Sequence, residues 1–277
     1  MSAELMSALD NNPLQIEQEK NGTILWLTGW SMPDAVFGRL RLLLPDFRHI
    51  SVDYSAADSP EEMLCLTETA VRDMLDIEGI ACRERVSQGP LLISGWSLGG
   101  LLALRLAAKG YADGLVLFGA TARFTRSKEE LDRGIADAYV RQMIKGILKD
   151  RHAVEANFRK MMFTEQEWKE GLAERLPPMG DWTTQALLAG LQILRSEECL
   201  SQLPNIDCPV LLIQGTEDRI CPYGAGLELS TQIPQAELIT LTGCGHAPFL
   251  GKEVHIADEW RRWWHDHWKK SCCSTPI

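Results

Sequence analysis

The sequence predicts an α/β protein with a mostly parallel central sheet flanked by helices and interrupted by a helical insertion. Three observations carry this. Short apolar runs alternate with helical runs through residues 23–118 and again after Pro204. The middle runs, such as Leu91-Leu92-Ile93, are continuously apolar, as strands buried on both faces are. Between Ala122 and Cys199 the period is helical, with no strand pattern.

The elements follow in order. Residues 1–20 are polar and weakly patterned, a frayed arm or a short leading strand. Thr23 to Leu27 is a strand that runs into Thr28-Gly29-Trp30. Pro33 to Leu44 is a helix, with Ser31 or Met32 near its cap and Pro33 in its first turn. His49 to Tyr54 is the next strand. Ser59-Pro60-Glu61-Glu62 has the form of a capping box and opens a helix to about Glu78. A strand at 90–95 leads through Gly95-Trp96-Ser97-Leu98-Gly99 into a helix at 98–109, followed by a strand from Leu115 to Phe118. Within the insertion, Pro177-Pro178 and Gly180 break the helical pattern. Beyond it come a strand at 209–214, a helix near 224–232, a strand at 237–241 and a helix from Glu253 to about Trp268. The expected organisation is a core of residues 1–121 and 200–277 with a helical cap, or lid, over residues 122–199.

Composition narrows the function. The chain has 277 residues, 45% of them hydrophobic and 24% charged, with a net charge of −10. An acidic chain lacks the basic surface that nucleic acids or anionic membranes require, so neither is an expected partner. The start has no basic, apolar leader pattern, and no run is long enough to span a membrane; the cytoplasm is the expected compartment. The eight cysteines show no paired C-x-x-C spacing, so free thiols are expected and neither metal nor cofactor is called for.

The segment Gly95-x-Ser97-x-Gly99 lies between a strand and a helix, the context of a nucleophile elbow. There the backbone turns so sharply that the positions two before and two after the nucleophile must be small. A serine hydroxyl is a weak nucleophile at neutral pH. It needs a neutral imidazole to take its proton and a carboxylate to hold that imidazole. Six histidines are present, and only His246 follows a terminal strand in a loop, Gly243-Cys244-Gly245-His246-Ala247-Pro248. For the acid, Glu217 and Asp218 both follow the strand at 209–214. Asp218 is preferred, since its shorter side chain suits a fixed orienting role. Asp207 precedes that strand and lies at the wrong end of the sheet. The expected catalytic set is Ser97, Asp218 and His246. The amide of Leu98 and that of Trp30, after the first strand, are expected to bind an oxyanion.

These residues resemble the α/β-hydrolase superfamily over about residues 23–268. A closer similarity is to the pimeloyl-[acyl-carrier protein] methyl ester esterases. It rests on Gly95-Trp96-Ser97-Leu98-Gly99-Gly100, on Gly29-Trp30, on His246-Ala247-Pro248-Phe249, and on Gly190-Leu191-Gln192-Ile193-Leu194-Arg195 with the linker from Leu200 to Pro204. Two features depart from the family pattern. Thr28 stands where a histidine is usual, and Asp53-Tyr54-Ser55-Ala56-Ala57-Asp58-Ser59 replaces a glycine-bearing loop.

The resemblance implies an α/β-hydrolase fold and a cofactor-independent serine carboxylester hydrolase. It implies an acyl ester substrate carried on an acidic acyl-carrier protein, with Phe158, Met161 and Met162 lining the acyl channel. An acidic carrier would dock on basic residues. Residues 141–160 hold Arg141, Lys145, Lys149, Arg151, Arg159 and Lys160 against Asp150 and Glu155. A solvated helix face is the plainer meaning of such charges. A general short-chain carboxylesterase, thioesterase or lactonase on the same triad is the alternative activity, and a non-enzymatic receptor of the same fold a more distant one. Trp260, Trp263, Trp264 and Trp268 of the last helix are expected to pack against the sheet rather than a membrane.

Overall fold

The computed structural model describes residues 20–76 and 89–268. The expected leading arm, the far end of the helix predicted to reach Glu78, and Cys82, Cys272 and Cys273 lie outside the described residues.

The elements are β1 (Thr23–Leu27), α1 (Gly38–Leu43), β2 (Arg48–Ser51), α2 (Pro60–Asp76), β3 (Leu91–Trp96), α3 (Leu98–Ala107) and β4 (Gly114–Phe118). The chain then forms β5 (Thr125–Arg126), β6 (Ile135–Ala136), α4 (Asp137–Met161), α5 (Glu165–Lys169) and α6 (Thr184–Ser196). It closes with β7 (Val210–Gly215), α7 (Tyr223–Gln232), β8 (Ala236–Leu241) and α8 (Glu253–Trp268). Six strands form one sheet in the order β2-β1-β3-β4-β7-β8, and every pairing in it is parallel. Strand order reverses beside β1: β2 lies on one side and β3 on the other. The loops leaving the carboxyl ends of β1 and β3 therefore meet, and such a reversal opens a crevice in parallel sheets. The loops after β7 and β8 emerge at the same end of the sheet.

Four expectations are corrected. The helix expected over Pro33–Leu44 is a 3-10 turn at Asp34–Phe37 followed by the six-residue α1. Gly38 is a weak helix former, and no side chain caps the start, because the residue at the cap is Pro33, which has no polar side-chain atom. Strand β2 ends at Ser51 rather than Tyr54. Among the described residues it is an edge strand whose only ladder partner is β1, and Ser51 is the last residue to pair, with Trp26. The capping box at Ser59 is half formed: Ser59 Oγ accepts the Glu62 amide at 3.1 Å, but the Glu62 carboxylate takes the Asp58 amide, at 2.7 Å, instead of that of Ser59. Finally, the insertion contains strands after all. The two-residue β5 and β6 pair in parallel, too short to leave a periodic signal.

The long helix α4 holds a break that periodicity does not reveal. Asp150 has φ −156° and ψ 90°, and its Oδ1 accepts the Ala153 amide at 3.0 Å. Asp150 thus ends one helix and caps the next, as aspartate does at helix starts. The second segment places Arg151 and Glu155 four residues apart on one face.

The core sits beneath the sheet and along α8. Trp26 packs on Phe37 with ring centroids 4.7 Å apart and on Trp260 at 5.6 Å, and Phe249 packs on Phe37 and Phe118. Burying each such ring stabilises the fold by about 1.5–3 kcal/mol relative to exposure. The tryptophans of α8 pack as expected: Trp260, Trp263 and Trp264 are buried, and Trp268 stacks on Trp264 at the margin. Among the described residues no helix is long and apolar enough to cross a membrane. The insertion is fastened at its root by Arg126, whose guanidinium bonds the Glu228 carboxylate of α7 with both groups buried. The pair is part of a network, since Glu228 also accepts Arg133 at 3.2 Å and Arg126 also lies 3.6 Å from Glu130.

Candidate active site

Ser97 stands between β3 and α3 with φ 57° and ψ −116°. Positive φ is unfavourable for a residue with a Cβ and costs on the order of 1–3 kcal/mol. The surroundings enforce it. A Cβ on Gly95 would lie 2.3 Å from the Gly99 carbonyl oxygen, and one on Gly99 would lie 2.1 Å from that of Leu27. Only glycine fits at both positions, so strand and helix approach closely and Ser97 projects from the tip. The next residue, Leu98, opens α3, where the first amides have no intrahelical acceptor.

The loop after β7 presents Asp218 and leaves Glu217 exposed. Four donors converge on the buried Asp218 carboxylate. Oδ1 accepts the amides of Ile220 and Cys221 at 2.8 and 2.9 Å; Oδ2 accepts Gln214 Nε2 at 3.1 Å and pairs with His246 Nδ1 at 2.8 Å. With Nδ1 donating to that carboxylate, Nε2 keeps its lone pair and can act as a base. His246 Nε2 and Ser97 Oγ are both buried, and neither has a hydrogen-bond partner among the described residues. These are the two atoms that a proton transfer from the serine would join.

The His246 loop is held from three sides. Its amide donates to the Met162 carbonyl at 2.7 Å, and its carbonyl accepts Trp96 Nε1 at 2.7 Å. The preceding Gly245 amide lies against both oxygens of the buried Glu167 carboxylate, at 3.1 and 3.2 Å. Glu167 is also the third residue of a capping box with Thr164, so one carboxylate orders the start of α5 and the histidine loop together.

Trp30 is fully buried. Its indole donates to the Leu187 carbonyl of α6 at 2.8 Å and meets Phe158 edge-on at 5.0 Å. Phe158 also faces the His246 ring at 6.4 Å, so its ring spans the two loops. Met162 reaches the site through its backbone carbonyl. Met161 is half-buried and receives the Tyr139 hydroxyl on its sulfur at 2.8 Å. Burial and the nearby Asp218 charge push the Cys221 thiol well above its ordinary range, although the Ser97 hydroxyl beside it acts the other way.

The six basic residues of α4 separate into two groups. Lys145, Lys149 and Lys160 are exposed, and Arg141 is exposed with an ion pair to Asp137 at 3.0 Å. Arg151 instead turns inward, to Glu155 at 3.1 Å and the Trp182 carbonyl at 2.8 Å. Arg159 donates to the Pro177 carbonyl at 2.8 Å, and burial lowers its pKa while the Glu155 charge raises it. Among the described residues no cluster of three or more histidine, cysteine, aspartate or glutamate side chains could hold a metal ion.

Sequence reasoning missed Glu167, Gln214, Glu155 and the supporting role of the Trp96 indole. Thr164-x-x-Glu167 has the spacing of a capping box, a signal that marks a helix start and says nothing of the histidine loop.

Comparison with known proteins agrees with the resemblance and the fold read from the sequence. A family model described as "Alpha/beta hydrolase family" matches residues 24–255. A pimeloyl-[acyl-carrier protein] methyl ester esterase of Nitrosomonas europaea is 30% identical over 249 residues, which cover 86% of this chain and 94% of that protein. One from Stenotrophomonas maltophilia is 30% identical over 240 residues, 84% and 89% of the two chains. Among solved structures, an esterase from Exiguobacterium antarcticum superposes with a TM-score of 0.68 at 20% identity, covering 89% of this chain and 92% of that one. A bromoperoxidase from Bacillus anthracis gives a TM-score of 0.68 at 15% identity, covering 88% and 92%. Likeness at that distance speaks for the fold alone. On the extent of the family match, the chain belongs to the alpha/beta hydrolase family.

Proposed function

We propose that this chain is a serine carboxylester hydrolase that cleaves the methyl ester of a pimeloyl group borne on an acyl-carrier protein, giving the free acid and methanol. The substrate is that of the relatives from Nitrosomonas and Stenotrophomonas. The single observation that carries the chemistry is the buried 2.8 Å contact of His246 Nδ1 with Asp218, which leaves Nε2 without a partner, as the buried Ser97 hydroxyl also is.

Ser97 Oγ attacks the ester carbonyl carbon while His246 Nε2 takes its proton. The carbonyl oxygen becomes an oxyanion between the amides of Trp30 and Leu98, the second of which lies at the positive end of α3. The tetrahedral adduct collapses, the bond to the methoxy oxygen breaks, and the imidazolium returns the proton to the departing methanol. Water then attacks the acyl-serine, again losing its proton to His246, and Ser97 is regenerated with release of the acid. Asp218 keeps the imidazole in the required tautomer and offsets its charge throughout.

In this reading residues 122–199 form a cap over a core of residues 1–121 and 200–277. Phe158, Met161 and Met162 border the acyl path, where flexible thioethers suit an alkyl chain. Arg141, Lys145, Lys149 and Lys160 attract the acidic carrier, and Leu148, 70% exposed, lies among them. Arg151 and Arg159 hold the cap together rather than meeting the carrier. The reaction takes place in the cytoplasm.

The test is complementation of a biotin-requiring strain that lacks its own methyl ester esterase. Growth without biotin is expected, and Ser97→Ala abolishes it. Robust cleavage of free p-nitrophenyl esters with no complementation would replace this substrate by a general short-chain ester.

A further inference from the structure

The loop that carries the Trp30 amide is held partly by itself and partly from outside. Gly29 to Met32 form a turn closed by the Met32 amide on the Gly29 carbonyl at 3.2 Å. Its third residue, Ser31, has φ 61°. Turns with a positive φ at that position ordinarily use glycine or asparagine. A serine there has a cost that the turn itself does not offset.

The compensating contact comes from the insertion, 124 residues away in sequence. Ser31 is 1% exposed, and its hydroxyl donates to Glu155 Oε1 at 2.6 Å. Glu155 is likewise 1% exposed. Its other oxygen accepts Arg151 Nε at 3.1 Å, and the same guanidinium donates to the Trp182 carbonyl at 2.8 Å. The Trp182 indole returns to the Met32 carbonyl at 3.2 Å. The contacts close a circuit: Ser31, Glu155, Arg151, Trp182 and Met32, whose last member adjoins the first. On the other flank the Trp30 indole is bonded to Leu187. The break at Asp150 restarts the helix so that Arg151 and Glu155 share one face toward this turn.

An oxyanion is stabilised only by donors that already point at it, because reorienting a dipole during the reaction consumes the gain. We propose that Glu155, acting through the Ser31 hydroxyl, is a positioning residue that fixes the Trp30 amide, so that the insertion completes the oxyanion site as well as covering it. This inference rests on the reading of Trp30 as an oxyanion donor. It makes the rate of the chemical step depend on a carboxylate that touches neither substrate nor nucleophile.

The experiment compares Ser31→Ala, Ser31→Gly and Glu155→Gln in steady-state hydrolysis of a p-nitrophenyl ester, with Ser97→Ala alongside. Alanine removes the hydroxyl and keeps the unfavourable φ. Its kcat falls about ten- to hundredfold with KM within about twofold, less than the loss of a whole oxyanion donor. Glycine adopts the φ freely but loses the tether, so its kcat lies between alanine and wild type, about threefold to tenfold down. Glutamine keeps an acceptor for Ser31 and retains most of the rate. Phosphonylation of Ser97 by a p-nitrophenyl phosphonate, whose P–O group occupies the oxyanion position, slows in the same order. A merely structural role would lower the melting temperature and leave kcat of the folded protein unmoved. The proposal is overturned if Ser31→Gly, which does not strain the fold, turns over like wild type, or if the losses reside in KM. Should Ser97→Ala itself stay active, the reading of the whole site fails; a dead Ser97→Ala beside a fully active Ser31→Ala removes this inference alone.

Discussion

His246 Nδ1 and Asp218 Oδ2 meet at 2.8 Å with neither side chain exposed to solvent. The pair is made by neighbouring strands: β7 and β8 run in parallel register, and each releases one partner at its carboxyl end. Asp218 Oδ1 is taken by the two amides of its own turn and Oδ2 is shared between Gln214 and His246, so the carboxylate is held from both sides as it faces the imidazole.

Asp218→Asn therefore isolates the carboxylate's role. The asparagine oxygen still accepts the Ile220 and Cys221 amides, so the melting temperature changes little. The tautomer of His246 is lost, and kcat on a p-nitrophenyl ester falls by about four orders of magnitude, the size known for this change in a serine protease. A loss under tenfold, in a variant that melts normally, would refute the triad.

Glu167→Ala leaves the buried amides of Gly245 and Thr164 without their acceptor. Each unsatisfied buried donor costs about 1–3 kcal/mol, and a protein of this size loses roughly 2–4 °C of melting temperature per kcal/mol. Calorimetry is expected to show a drop of several degrees, with kcat reduced because the histidine loop is no longer held. An unchanged melt would mean that the carboxylate does not hold the loop.

Charge reversal separates the outward from the inward cations. Lys145→Glu with Lys149→Glu is expected to raise KM several-fold for the carrier-borne ester and to leave a free methyl ester unaffected. That difference should shrink as salt screens the attraction. Arg151→Glu instead sets two carboxylates together in the cap and lowers the melting temperature. Equal effects of the paired lysine change on both substrates would remove docking from this face.

His49 predicts a pH response of stability. Its Nδ1 accepts the Trp26 indole at 3.1 Å and its Nε2 donates to the Leu44 carbonyl at 2.9 Å, an arrangement that requires a neutral ring. Burial and the charges of Arg41 and Lys20 lower its pKa below the ordinary 6.5, outweighing the hydrogen bond to Leu44. A depressed folded pKa means that the contribution is whole above pH 6.5 and is lost as pH falls toward the folded value. The melting-temperature advantage of wild type over His49→Gln is expected to shrink between pH 7.5 and 5. A constant advantage across that range would contradict it.

Much of the fold was legible because its signals are local. Apolar runs mark the strands of a parallel sheet, and Gly95 and Gly99 are glycines because a Cβ at either would strike backbone. His246 stood out among six histidines by following the last strand, and Asp218 was preferred to Glu217 on side-chain length. The end of β2 and the pairing of β5 with β6 were not legible, since each depends on where a neighbouring strand stops or passes.

The sequence by itself determined the alternation of strands and helices in the main sheet and the three side chains on which the proposed chemistry rests. Each of these is dictated by steric and periodic constraints acting within a few residues. Only the tertiary structure decided which groups hold those side chains still. The contacts of Ser31 with Glu155 and of Gly245 with Glu167 span 124 and 78 residues. A buried glutamate carries no mark of its distant partner, because a hydrogen bond constrains space and leaves spacing along the chain free.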